Sequence, residues 1–257
     1  MNALEKSVVE SLDGSDPDLF PFLPYILQDL WELGADPSVM LSLIKNNIKK
    51  DGLRVLDLGC GKGAVSINIA REIGCTVKGI DAMPDFIESA KSYAKQYKVQ
   101  DKCDFETGDI RLKIKELKGF NVIILGAIGP VLGDLYTTLK TLSPSLNPSG
   151  YVLLDDGYIP DVSQTDYNRC LHEKEFYDQI ARAGFVIVRE IIFEREAIDE
   201  SDKIIYEAIK KRIDELKSEF PGESGLFDEY IKSQEYENYI LANELVTGTW
   251  LLQLKSC

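Results

Sequence analysis

Asp57-Leu58-Gly59-Cys60-Gly61-Lys62-Gly63 sets a carboxylate two residues ahead of three glycines spaced two apart, directly behind the apolar residues Val55 and Leu56. Glycine tolerates backbone angles closed to other residues and has no side chain, so a strand ending this way lets a nucleotide-sized ligand lie against the main chain. Two more carboxylates follow at comparable points: Asp81 closes Val77-Lys78-Gly79-Ile80-Asp81, and Asp109 sits in Glu106-Thr107-Gly108-Asp109-Ile110. An ionised carboxylate at Asp81 can accept hydrogen bonds from two neighbouring ribose hydroxyls. Gly59-x-Gly61-x-x-Ala64 also satisfies a looser dinucleotide fingerprint, but a pyrophosphate would not welcome Asp57 at that point, where such folds usually keep an apolar residue. The plainest alternative, a tight strand-to-helix turn with no ligand, does not explain acids following three successive strands.

The residues from Arg54 to Gly63 resemble the first motif of class I S-adenosylmethionine-dependent methyltransferases, an acidic residue, one spacer and Gly-x-Gly-x-Gly, which Asp57, Gly59, Gly61 and Gly63 match. The resemblance runs over residues 50 to 195 and the last ten. It implies S-adenosyl-L-methionine as cofactor, with Asp57, Gly59, Cys60, Gly61 and Gly63 forming the turn and a methionyl ammonium met by the Asp57 carboxylate. It further implies Asp81 on the ribose, Ala82 and Met83 under the adenine, Asp109 and Ile110 at its exocyclic amino group, and Leu125 and Gly126 on the methionyl side. In many small-molecule members an N-terminal extension folds over the site, which adds Tyr25 to the cofactor set. The implied activity is in-line methyl transfer to a small molecule. Two other readings stay open: a NAD(P)-dependent oxidoreductase and a non-catalytic S-adenosylmethionine-binding regulatory protein.

A general base is needed only where the acceptor must lose a proton. The candidates are Asp155 and Asp156 after the fifth strand, Tyr158 beside them, and His172, the single histidine. None is singled out. Leu171-His172-Glu173-Lys174 also reads as a solvated helix start, and Asp155-Asp156-Gly157 as turn chemistry. The loop Leu125-Gly126-Ala127-Ile128-Gly129-Pro130 carries no acid, base or nucleophile and lacks the Asn-Pro-Pro-Tyr signature of amino-methylating nucleic-acid enzymes.

These residues need a scaffold that brings strand ends together. After the glycine turn, strands at Thr76–Ile80, Asp104–Glu106, Asn121–Leu125 and Tyr151–Leu154 alternate with helices at Asp85–Tyr97 and Leu132–Leu142, which predicts a parallel sheet covered on both faces. Helix Glu173–Ala183, strand Val186–Phe193 and a strand near Gly248–Leu254 close the chain. The expectation is a doubly wound α/β fold with a mostly parallel seven-stranded sheet, its last strand antiparallel, plus a helical lid. One methyltransferase domain spans 1–257: a helical cap over 1–50, a cofactor-binding core over 51–195, a helical insertion over 196–244 serving as lid or dimer contact, and the last strand over 245–257. The cap reads as helices throughout, including Pro24–Leu33 and a helix opened by Asp36-Pro37. The insertion shows one apolar stripe, Ile204, Ile205, Ala208, Ile209, Ile213, Leu216 and Phe220.

The 29 basic and 43 acidic residues leave a formal charge of -14, which argues against a sequence-independent grip on nucleic acid. Between Glu194 and Glu244 there are fifteen acidic and seven basic residues, a surplus that would favour a cationic or amine substrate if it lined the pocket mouth. The longest apolar run, Phe120 to Gly133, is too short to span a bilayer, and the start lacks a secretory pattern, so no membrane partner and a cytoplasmic location are expected. Cys60, Cys75, Cys103, Cys170 and Cys257 form no Cys-x-x-Cys pair, consistent with reduced thiols and no metal site. The expected partner is a small-molecule substrate, and the tyrosines Tyr230, Tyr236 and Tyr239 suggest a homodimer contact.

Overall fold

A computed structural model describes residues 3–49 and 51–255, so Cys257 lies outside the described residues. The helices are α1 (Ala3–Ser11), α2 (Leu23–Ile26), α3 (Pro37–Asn47), α4 (Ala64–Ile73), α5 (Pro84–Gln96), α6 (Ile110–Lys113), α7 (Leu135–Leu142), α8 (Glu173–Arg182), α9 (Arg195–Glu219) and α10 (Ser224–Asn243). The strands are β1 (Arg54–Leu58), β2 (Thr76–Asp81), β3 (Cys103–Thr107), β4 (Phe120–Gly126), β5 (Leu146–Tyr158), β6 (Phe185–Ile192) and β7 (Val246–Leu254). They form one sheet in the order β3-β2-β1-β4-β5-β7-β6. β1 pairs in parallel with β2 and β4, and β6 pairs with β7 antiparallel, as the sequence predicts. Strand order reverses between β1 and β4, and in such sheets the ligand crevice opens at that switch point beyond the carboxyl ends.

β4 is buried at Phe120–Leu125, the mark of a central strand covered on both faces. Register then decides which residues share a rung at the rim. Asp57 lies opposite Gly79 and Ile124, so Asp81 and Gly126 each stand two residues beyond that rung, and Gly126 pairs with Asp155. Because side chains alternate along strands, the Asp81, Gly126 and Asp155 positions present the same face.

The chain divides into two compact units. The larger comprises Trp31–Tyr158, Leu171–Ile192 and the chain from Thr247; it holds the sheet and α3 to α8. The smaller comprises the chain up to Leu30, Ile159–Cys170 and Phe193–Val246, so α1 and α2 share a unit with the inserted helices α9 and α10, whereas α3 belongs with the sheet. In the smaller unit Phe22 meets Phe220 and Phe227 edge-on at 5.5 and 5.0 Å. Tyr230 donates to the Leu12 carbonyl at 3.0 Å, and Arg212 grips both oxygens of Asp29 at 2.8 and 2.6 Å. Ile209, Ile213 and Leu216 of the expected stripe are buried, while Ile204 is 63% exposed, so the stripe's buried part begins further along α9 than its apolar sequence does.

The expected helix over Pro24–Leu33 is corrected: α2 ends at Ile26 and the chain turns. Tertiary stacking accounts for the difference. Trp31 lies against Tyr97 at 5.1 Å with nearly parallel rings and against Tyr93 at 4.9 Å, and its indole donates to the Lys62 carbonyl at 3.1 Å. Those contacts outweigh local helix propensity.

Gly248 secures the β6–β7 junction, because a Cβ there would lie 2.4 Å from the Ile191 carbonyl oxygen. Gly248→Ala is expected to lower unfolding stability by about 1–3 kcal/mol, the usual cost of overpacking, read as a shift in the urea midpoint. An unshifted midpoint would show that the two strands separate freely at this point.

Candidate functional site

All three glycines of the turn have left-handed backbones, with φ of +71° at Gly59, +52° at Gly61 and +77° at Gly63. A side chain is also excluded by space: a Cβ at Gly59 would sit 2.5 Å from Ile128 Cγ2, and one at Gly63 would sit 2.9 Å from the Phe105 ring. The turn is anchored to β2 through the Gly59 and Cys60 amides, which donate to the Ile80 carbonyl at 2.8 and 3.1 Å. Gly63 then opens α4. Cys60 is buried, and its thiol is pushed well above the usual range by burial and by Asp57 and Asp81. This favours the inert protonated form.

Asp81, at the end of β2, accepts from the Gly61 amide on one oxygen at 2.8 Å and from the Met83 amide on the other at 2.9 Å. It therefore clamps the glycine turn to the start of α5. A carboxylate has about four lone-pair sites, so hydroxyl donors can still bind it. Asp57 is 3% exposed and accepts from the Ser66 hydroxyl at 2.6 Å. Burial raises its pKa to about 6, Ser66 opposes the rise, and the nearby Asp81 charge adds to it. Ser66, from the first turns of α4, was not apparent as a site residue; its spacing of nine residues from Asp57 is no recognised signal.

The third acid sits differently. Gly108 donates its amide to the Asp81 carbonyl at 2.8 Å, which holds the Asp109 turn beside β2. Asp109 caps α6, and its carboxylate is gripped by the Arg111 guanidinium at 2.8 to 3.1 Å, which holds its pKa below the usual range. An adenine amino group would have to share that carboxylate with Arg111. Met83 and Ile110 are buried, Leu125 is 2% exposed, Ala82 is half-buried, and Gly126 ends β4.

The segment from Trp31 to Asp36 runs along this rim. Leu33 Cδ1 lies 3.2 Å from where a Gly61 Cβ would be, and the Ala35 methyl 3.1 Å from the corresponding point on Gly126. Periodicity places Trp31 to Leu33 in a helix and Asp36 at a helix cap, and neither reading puts the segment at the rim, where irregular backbone carries it.

Of the suggested bases, Asp155 and Asp156 are half-buried and form no ion pair among the described residues. Burial raises Asp155 to about 7, opposed by a 2.7 Å hydrogen bond from the Thr249 hydroxyl and assisted by the Asp156 and Asp36 charges. Asp156 is raised to about 6 by burial and accepts from the Gly157 amide. The placement of Tyr158 is corrected: instead of projecting into the crevice it packs against Phe176, Tyr177 and Trp250 with ring centroids at 5.5 to 6.1 Å. Three residues separate it from Asp155, so strand alternation turns it, together with Asp156, to the opposite face of β5, where Phe176 of α8 packs. His172 is exposed at the N-cap of α8, the solvated helix start already considered. Tyr25 belongs to the smaller unit, where its hydroxyl donates to Glu215 at 2.7 Å and its ring lies beneath Arg212.

Among the described residues no helix is long and apolar enough to cross a membrane, and no group of three or more His, Cys, Asp or Glu side chains is placed to hold a metal. The site's donor set fits a nucleoside carrying a cationic group. Bare backbone is flanked by carboxylates, and the Lys62 ammonium is placed 5.5 Å from the Phe86 ring centroid.

A family model described as "Methyltransferase domain" matches residues 49–216. Sterol 24-C-methyltransferase of Saccharomyces cerevisiae is 30% identical over 164 residues, covering 58% of this chain and 42% of the relative. The corresponding protein of Clavispora lusitaniae is 36% identical over 104 residues, 39% of this chain and 28% of the relative. The chain thus spans less than half the length of these curated relatives. A crystal structure of a SAM-dependent methyltransferase from Geobacter sulfurreducens, in complex with S-adenosyl-L-homocysteine, superposes with a TM-score of 0.77 at 22% identity, covering 91% of this chain and 98% of that one.

Proposed function

The chain belongs to the class I S-adenosylmethionine-dependent methyltransferase family, and on that premise we propose that it transfers a methyl group from S-adenosyl-L-methionine to a small-molecule acceptor. The observation that carries this reading is the clamp at the rim: three left-handed glycines after β1, with Asp81 from β2 tied to the Gly61 and Met83 amides. The nicotinamide reading falls with the family match and with the antiparallel β7 between β5 and β6, which belongs to this fold and not to dinucleotide folds.

When bound, S-adenosylmethionine supplies an electrophilic methyl on a sulfonium. The residues proposed to hold it are those of the glycine turn with Asp57, Asp81, Met83, Asp109, Leu125 and Gly126. Asp81 holds the ribose hydroxyls, and Asp57 presents negative charge through the turn toward the amino acid end. Ile128 and Leu33 shield the turn from water. Asp155 is the proposed proton acceptor, since burial sets it close to neutrality, where a base works best.

Calorimetric titration tests the reading directly. S-adenosylhomocysteine is expected to bind at micromolar concentration while NADH gives no heat, and failure of the first would overturn the proposal. Cofactor binding without methyl transfer from radiolabelled donor to any member of a broad acceptor panel would instead favour a regulatory protein.

A further inference from the structure

Thr247 is 9% exposed, and its hydroxyl has no hydrogen-bond partner among the described residues. Buried polar atoms in folded proteins are nearly always satisfied, so such a group at a functional rim marks a place where a ligand completes the bonding. Thr247 lies two residues before Thr249 on β7, so strand alternation puts both hydroxyls on the same face. Thr249 donates to Asp155 Oδ2 at 2.7 Å, so that face is the one Asp155 occupies.

The rung containing Asp155 runs along the crevice. Asp81 and Gly126 stand two residues beyond the rung of Gly79, Asp57 and Ile124, Gly126 pairs with Asp155, and Thr249 meets Asp155 from β7, so a carboxylate stands at each end of the stretch. Three strand spacings separate β2 from β5, about 14 Å. Asp81 and Asp155 therefore serve groups about that far apart, so an acceptor at Asp155 does not compete with the cofactor for the Asp81 carboxylate.

The charges that act most strongly on Asp155 are negative. They are Asp156 on its own strand and Asp36 ahead of α3, and the Asp36 carboxylate is turned onto the Ser38 and Val39 amides, which neutralises the positive end of that helix. With Thr249 on one oxygen, Asp155 keeps its other oxygen to accept a hydrogen bond, and Thr247 supplies a hydroxyl that can accept or donate. A group with several N–H donors and positive charge satisfies all of this. A carboxylate or phosphate would be repelled, and an alcohol would leave the charge uncompensated.

We propose that the β5–β7 rim is an amine-recognition subsite, in which Asp155 and Thr247 hold the nitrogen of an amine acceptor and Thr249 positions the Asp155 carboxylate. The proposal rests on the methyltransferase reading and narrows its substrate to amines. Thr247 and Thr249 determine specificity and position; Asp155 is the group that touches the acceptor.

The test is calorimetric titration of the protein saturated with S-adenosylhomocysteine, using three size-matched pairs: n-propylamine and n-propanol, n-hexylamine and n-hexanol, 2-phenylethylamine and 2-phenylethanol. At least one amine is expected to bind tenfold or more tightly than its alcohol. Asp155→Asn should abolish that preference while S-adenosylhomocysteine affinity stays within twofold. Thr247→Val should weaken the amine severalfold and Thr247→Ser should restore it, which separates a lost hydroxyl from a damaged fold. Equal binding of amine and alcohol in all three pairs, or a preference that survives Asp155→Asn, overturns the subsite alone. A protein that takes up no S-adenosylhomocysteine overturns the methyltransferase reading and the subsite with it.

Discussion

Asp81→Ala is expected to weaken S-adenosylhomocysteine binding by a factor on the order of 100 to 1000. The proposed contacts are two hydroxyl donors on one ionised carboxylate, and hydrogen bonds to a charged group are worth about 1.5–3 kcal/mol each. The same carboxylate also holds the Gly61 and Met83 amides, so its removal both deletes ligand contacts and loosens the glycine turn against α5. Asp81→Asn separates the two effects. Its amide oxygen can still accept one backbone bond, so the turn is better held, but the charge is gone and a smaller loss of affinity should remain. Calorimetric dissociation constants for both variants, with unfolding midpoints as a control on folding, make the comparison. An Ala variant that binds within threefold of the parent would remove Asp81 from the cofactor site.

Asp57→Asn should move stability and affinity in opposite directions. The folded state holds the Asp57 proton up to about pH 6, whereas the ordinary value is 3.8. Between those values the folded chain binds more protons than the unfolded one, so this group's contribution to stability falls as pH rises through that window and levels off above it. The difference corresponds to an order of 3 kcal/mol against the folded state at pH 8. Asparagine has no charge to bury and can still accept from Ser66, so the variant is expected to be more stable than the parent by about 1–3 kcal/mol at pH 8. Near pH 4 the advantage should vanish. Urea unfolding at the two pH values measures it, and a variant that gains nothing at pH 8 would show that Asp57 is not strained by burial. Cofactor affinity should drop about tenfold, since a buried charge facing a cationic ligand is worth more than a kcal/mol. Burial of an uncompensated acid is thus read as stability given up for binding, a pattern common at functional sites.

Asp155 and Asp156 on β5 follow the same direction. Their raised values come from burial without a neighbouring cation, so wild-type stability at high pH also carries their charge. For that reason the Asp57 variant is compared with the parent at each pH, and not with itself across the range.

Much of the fold was legible in the sequence because it is encoded locally. Alternation of apolar strands with amphipathic helices gave the parallel core, and the order of the final elements gave the antiparallel β7. The glycine turn was legible for the same reason: spacing, residue type and the strand before it lie within ten positions, and all three glycines adopt the left-handed angles that their type permits. Asp81 was legible because it ends the next strand. Arg111 is encoded locally as well, since a guanidinium two residues past a helix cap can fold back onto it.

What stayed hidden depends on residues far apart in the chain. Thr249 meets Asp155 across 94 positions, and only the insertion of β7 beside β5 makes them neighbours. The end of α2 and the course of Trp31 to Asp36 along the rim were set by stacking on Tyr93 and Tyr97, contacts that no local pattern announces. Tyr158 is near Asp155 in sequence, but strand alternation sets it on the opposite face, in an aromatic cluster. The sequence by itself determined the family, the order of elements and the residues of the glycine turn, because short-range spacing and periodicity fix backbone conformation. Tertiary structure alone decided which acids are buried, which hydroxyls meet them and which face each side chain takes, because those follow from strand register and packing between distant segments.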